Sequence, residues 1–362
     1  MTQTLAIFHD AYRALRARKM FWIVLGISGF VVLIFACLGV GDDGITFLFW
    51  ELGPAGTWFV EPSEFYKFLF QMLGIKIWLS LVATVLALIS TAGIFPALLA
   101  KGAVDLVVSR PISRFRLFLT QYAAGLLFVS LQVGVFCGAS FLVIGLRGKV
   151  WEWGLFLAVP IVVCFFSYLF CVCALLGVLT RSTLVSLLLT MLFWVVLFMF
   201  NTSDQTVLFF RAKMEAEQEW RQVQIDAMEA RAQARLRPAE KTTDHDRLRT
   251  LISERDDAAK TVRTLEKVHR IITISKTFLP KTADTINLLE YALIEAAHLR
   301  VGETQFLPNQ ARPSDEMLTV TASAETDREM RSRSTWWVIG TSLAFEGVVL
   351  GIGAWVFSRR DF

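Results

Sequence analysis

Six apolar segments govern what this chain can become. They lie near Met20–Val40, Leu73–Ala100, Leu117–Leu146, Trp153–Leu179, Leu184–Thr202 and Thr335–Phe357. Each is long enough to cross a hydrocarbon core of about 30 Å as a helix. Composition agrees, since 55% of the 362 residues are hydrophobic, against roughly 45–50% in soluble domains. The expected fold is an all-α integral membrane protein with six transmembrane helices. The third segment has length to spare for tilt or for extension beyond the bilayer.

Charge sets the expected orientation. With the N-terminus inside, the inner segments carry Arg13, Arg16, Arg18, Lys19, Lys101, Arg110, Arg114, Arg116, Arg181, Arg359 and Arg360. The short outer loops carry only Lys67, Arg147 and Lys149, with Lys76 at a border. Lysine and arginine concentrate on the cytoplasmic side, so both termini are expected there, in a multi-pass protein of the cell (inner, cytoplasmic) membrane. Residues 1–19 read either as an interfacial helix or as a plain basic flank. They do not read as a cleavable signal peptide, because the charged part is long and no small-residue cleavage site clearly follows the apolar run. The first outer loop, Gly41–Met72, is dense in aromatic residues such as Trp50, Trp58, Phe65 and Tyr66. These suit the headgroup level, with partner binding or substrate gating as the other reading.

Between the fifth and sixth segments lies a charged insert, Ser203–Ser334. Leu248, Leu251, Arg255, Ala258, Val262, Leu265, His269 and Ile272 step by alternating threes and fours, a heptad seam. The preceding Leu208–Leu236 piece is helical in composition, and the two fit an antiparallel helical hairpin, broken at Arg237-Pro238. A shorter helix over Thr282–Leu299 and a loop over Gly302–Ser323 complete the insert. By alternation of the spans it stands outside the cytoplasm, and its charge is no obstacle to translocation at that length. Its composition suits contact with an extracytoplasmic protein partner, or a solvated cap with none. The domains are therefore 1–202 (membrane domain, spans one to five), 203–334 (insert) and 335–362 (last span and cytoplasmic C-terminus).

Little in the chain points to catalysis. The nearest approach to a phosphate-binding loop, Gly145-Leu-Arg-Gly148-Lys149-Val150, lacks the spacing and the hydroxyl. His9, His245, His269 and His298 are scattered, and Cys37, Cys137, Cys164, Cys171 and Cys173 lie in apolar runs as small hydrophobes. No catalytic, cofactor-binding or metal-binding residues are assigned, no cofactor is expected, and a net charge of +4 gives no support for nucleic acid. One residue is out of place: Glu346, near the middle of the last span. A mid-bilayer acid costs about 2.5–3.5 kcal/mol on insertion scales, so it should face protein or water. With no Lys or Arg at matching depth, its expected partners are neutral, Gln132 or Ser130, or it carries a proton. It either lines a translocation path or fixes helix packing.

The turn between the second and third segments carries the functional expectation. Gly102, Asp105, Leu106, Arg110, Pro111 and Arg114 form an ordered basic turn, in which Pro111 separates a short amphipathic segment from the next span. This pattern resembles the ATPase-coupling loop of type-2 ABC-transporter permeases, including those of the multicopper-enzyme-maturation kind. The C-terminal Phe357-Ser-Arg359-Arg360-Asp361-Phe362 is also similar to that family. The resemblance covers residues 1–202 and 335–362 and leaves the insert unexplained. It implies the transmembrane permease subunit of an ATP-driven ABC export complex. Its partners would be a separate cytoplasmic ABC ATPase subunit and a second permease subunit, as a homodimer, in a lipid membrane. ATP hydrolysis would then belong to the partner, not to this chain. The alternative is a membrane-anchored coiled-coil scaffold that organises an envelope complex without transport.

Overall fold

The structure, a computed structural model, describes residues 19–41, 44–47, 50–53, 66, 69–99, 113–147, 149, 151–234, 241–296 and 315–359. These residues are predominantly helical and divide into two units. The span-containing unit comprises Met1–Val196, Pro280–His298 and Val338–Phe362; the second comprises Leu197–Leu279 and Leu299–Trp337.

Among the described residues, five helical stretches are long and apolar enough to cross a membrane: Met72–Leu98, Arg114–Arg147, Trp153–Thr180, Thr183–Ala230 and Thr335–Arg359. The first apolar helix, α1 (Lys19–Cys37), is shorter, with 19 residues. Its buried positions Val24, Ser28, Val32 and Phe35 form one stripe, while Trp22, Ile23, Ile27, Phe30 and Leu33 are exposed. A helix apolar on its buried and its exposed sides alike suits a lipid surrounding rather than water. The all-helical expectation needs one amendment. Leu38–Gly41, Gly44–Phe47 and Trp50–Gly53 form a three-stranded antiparallel meander, β1-β2-β3, directly after α1. Its strands are four residues each, too short to register as periodic in sequence.

The second span-length stretch is irregular. It begins as a π-helix (Phe70–Ala83), continues as α2 (Thr84–Thr91), and after a turn ends in α3 (Ile94–Leu98). The Thr84 hydroxyl donates to Leu79 O, five residues back, at 2.8 Å. Long π-helices are rare, and wide turns of this kind are frequent at functional sites. Next come α4 (Arg114–Arg147), a 3₁₀ turn (Trp153–Leu157) and α5 (Ala158–Thr180). Helix α5 is the most enclosed, with Phe166, Tyr168, Leu169, Phe170 and Cys171 fully buried. Aromatic rings bind this core: Phe95–Phe118 at 4.9 Å, Tyr122–Phe170 at 5.0 Å and Phe166–Phe170 at 5.4 Å between centroids. Gly125 lets α4 approach α5, for a Cβ there would stand 2.6 Å from the Phe170 ring.

The long α6 (Thr183–Ala234) and α7 (Lys241–Thr277) supply the second unit. They run antiparallel there. Arg221 donates to Glu254 O at 2.6 Å, and Arg255 donates to Gln222 Oε1 at 3.1 Å. The seam positions Ala258 and Val262 are buried and Leu248, Leu251, Leu265 and Ile272 half-buried, while Val268, Ile271 and Ile274 are exposed.

Two expectations about the insert are corrected. Helix α8 (Thr282–Ala296) belongs to the span-containing unit, where it packs against α5, the π-helix and the 3₁₀ turn. Its apolar positions Ile286 and Leu289 are buried, so it has a hydrophobic face to place against that core. The Gly302–Ser323 stretch is not loop throughout, because α9 (Asp315–Ser332) begins within it. Leu318 and Ala322, four residues apart, are buried on one face of α9. The last helix is α10 (Thr335–Arg359).

Candidate functional site

Glu346 is 8% exposed, so the acid on α10 faces the interior of its unit. Its partners are two hydroxyls from two other helices. Tyr122 of α4 donates to Oε1 at 2.8 Å, and Ser167 of α5 donates to Oε2 at 2.7 Å. Both hydroxyls have a second acceptor within reach. Tyr122 Oη lies 2.9 Å from Ser167 O, and Ser167 Oγ lies 2.8 Å from Cys164 O. The acid thus joins α4, α5 and α10 through neutral groups. The expectation of neutral partners holds, but their identity differs. Gln132 and Ser130 lie two to three turns further along α4 and make no hydrogen bond to the carboxyl. Gln132 is buried, and its Nε2 has no hydrogen-bond partner.

One turn before Glu346 on α10, Ser342 accepts from the Lys281 backbone N–H at 2.9 Å, and Thr341 Oγ1 accepts from Lys281 Nζ. These bonds fix the start of α8 against α10. Sequence reasoning missed this contact, because Lys281 and Thr282 read as part of a polar insert.

Of the coupling-loop residues, Arg114 is described; Gly102, Asp105, Leu106, Arg110 and Pro111 lie outside the described residues, as do residues 1–18 and Arg360-Asp361-Phe362. Arg114 opens α4 and its Nη1 donates to Ser358 O, near the end of α10, at 3.3 Å. Just inside, the Phe118 and Phe357 rings lie 5.9 Å apart. Gly353 also meets Phe118, where a Cβ would stand 3.1 Å from the ring. The exit of the loop and the tail of the last span therefore sit at the same end of the unit. Arg359 completes that end, stacked over Trp355 at 4.5 Å.

The second unit holds another buried acid that sequence reasoning did not single out. Asp204 is 2% exposed. Its Oδ2 takes Lys276 Nζ at 2.8 Å and Arg333 Nη2 at 2.9 Å. His269 Nε2 lies 3.2 Å from Oδ1, and Asn201 Oδ1 accepts from Lys276 Nζ at 3.2 Å. His269 and Lys276, seven residues apart, face the same side of α7. This spacing was the available signal, for His269 was already a polar member of the seam. No group of His, Cys, Asp and Glu among the described residues could hold a metal ion.

Compared with known protein families, with curated proteins and with solved structures, the chain shows no match to any of them.

Proposed function

We propose that this chain is the permease subunit of an ATP-driven export complex, a six-span membrane protein coupled to a separate cytoplasmic ATPase. The observation that carries the reading is the Arg114–Ser358 bond. It brings the end of the basic turn and the arginine-bearing tail together, at the end of the bundle where positive charge belongs on the cytoplasmic side. A motor docked on the turn would push on α4 and α10 at once. Both of these helices reach Glu346 further in, so the polar cluster lies where their relative motion would be felt. In this topology both termini are cytoplasmic and the α6–α7 hairpin stands outside. The 3₁₀ turn, α8 and the start of α10 share the outer end.

The test is co-purification. The intact chain, solubilised mildly from its native membrane, should bring with it an ATP-hydrolysing subunit in stoichiometric amount. Asp105→Arg combined with Arg110→Glu should abolish this association while membrane insertion persists. Unchanged association would sink the docking reading. The antiparallel α6–α7 pairing favours a second reading, a membrane-anchored coiled-coil scaffold without transport. Under that reading no ATPase accompanies the chain, and deleting residues 205–275 would abolish its one function.

A further inference from the structure

A second polar locus lies in the span-containing unit, at the point where the π-helix gives way to α2. A small cavity there is lined by Trp78, Leu79, Ala83 and Thr84 from that junction, Ser28 from α1, and Gln132 from α4, among apolar neighbours. Its volume is ≈ 10 Å³, the room of about one water molecule. Two of the lining residues carry unpaired donors. Trp78 Nε1 and Gln132 Nε2 are buried and have no hydrogen-bond partner in the protein. Trp78 is 5% exposed and Gln132 6%. Buried donors are almost always satisfied, and here two unsatisfied ones belong to residues that line one cavity.

We infer that this cavity is a binding site for one neutral acceptor oxygen, and that the occupant is a water molecule. Size excludes a larger group. No charged side chain lines the cavity, so an anion or cation would find no counter-charge. A water accepts from both donors through its two lone pairs, and the hydroxyl oxygens of Ser28 and Thr84, which also line the cavity, can take its protons. The Thr84 proton is already spent on Leu79 O, which leaves that oxygen free to accept. The π-helix is the reason the site exists. Trp78, on the π-helix, lines the cavity together with Gln132 of another helix, and a single water fills what the irregular backbone leaves open.

The intact chain in lipid nanodiscs, labelled with ¹⁵N-tryptophan, tests this by nuclear magnetic resonance. The chain has 11 tryptophans, and Trp78→Phe identifies the relevant indole resonance by its disappearance. Expected is a hydrogen-bonded indole N–H shift with a magnetisation-transfer cross-peak to water. Gln132→Met, close in shape but without polar atoms, should weaken that cross-peak several-fold and move the resonance toward the free-indole position. A free-indole shift with no water cross-peak in the unmutated chain would overturn the proposal, because the cavity would be dry. A hydrogen-bonded shift without exchange to water, together with a co-purified lipid ester detected by mass spectrometry, would overturn it too. The acceptor would then be a lipid carbonyl.

Discussion

Two buried acids, one in each unit, are held in opposite ways. Glu346 meets only hydroxyls, at 2.8 and 2.7 Å. Asp204 meets a lysine and an arginine at 2.8 and 2.9 Å, with a histidine beside it. The surroundings explain the difference. In a helix read as crossing lipid, a compensating Lys or Arg would itself be costly, so short hydroxyls from packed neighbours do the work. In the charged second unit cations are plentiful, and the long Lys276 and Arg333 side chains reach a shared acid from α7 and from just beyond α9. The hydroxyls around Glu346 have alternative acceptors and lose little if it goes. The cations around Asp204 would be left buried with uncompensated charge.

The largest expected effect follows from that asymmetry. Asp204→Asn should destabilise the second unit by about 3–5 kcal/mol, the usual cost of removing one partner from a buried ion network. Thermal unfolding followed by hydrogen exchange over α7 would show it. A loss below about 1 kcal/mol would mean that water reaches Lys276 and Arg333 and that the network is only a surface one.

Glu346→Gln is the matched experiment and should cost under about 1 kcal/mol, since the amide keeps an acceptor for Tyr122 and loses at most one bond at Ser167. Glu346→Leu should cost more, about 1–2 kcal/mol, because both hydroxyls must fall back on Ser167 O and Cys164 O and a carboxyl-shaped space must be refilled. If the amide proves as damaging as the aspartate change, the neutral character of the site is wrong. A Glu346→Cys variant checks its facing independently, and should label with lipid-soluble thiol reagents far more slowly than a cysteine at the exposed Leu188.

What sequence could reveal divides along the same line. Apolar length exposed the span-length helices, because the cost of lipid exposure acts on whole segments and needs no partner. The alternating seam of α7 was legible because a helix buries a stripe at a fixed period, and Ala258 and Val262 are indeed its buried members. The cost of a membrane acid predicted that Glu346 faces inward with neutral company. It could not choose among the hydroxyls of α4 and α5, since the choice between Ser130 and Tyr122 depends on helix rotation and depth. Asp204 itself was hidden for a related reason, because its cations lie 72 and 129 residues away, and only the shared face of His269 and Lys276 hinted at a partner. The placement of α8 was hidden by the polar company it keeps in sequence. The meander after α1 was hidden by strands of four residues.

The smallest expected effect sharpens the comparison from within the second unit. Arg221 also bridges the two hairpin helices, with Nη2 at 2.7 Å from Glu217 and 3.7 Å from Glu254. Its side chain is 14% exposed and that of Glu254 is 50% exposed, so one side of this pair remains wet. Solvent then replaces much of what is lost, and Arg221→Ala should cost about 0.5–1 kcal/mol, of which part is packing of the arginine stem. The change should shrink further in high salt, because the exposed partner is screened over about 3 Å at 1 M ionic strength. Asp204→Asn should keep its full effect under the same conditions. Measuring both variants at low and high salt therefore separates burial from charge as the source of stability. Equal salt sensitivity in the two would show that the Asp204 cluster owes its strength to long-range charge rather than to enclosure.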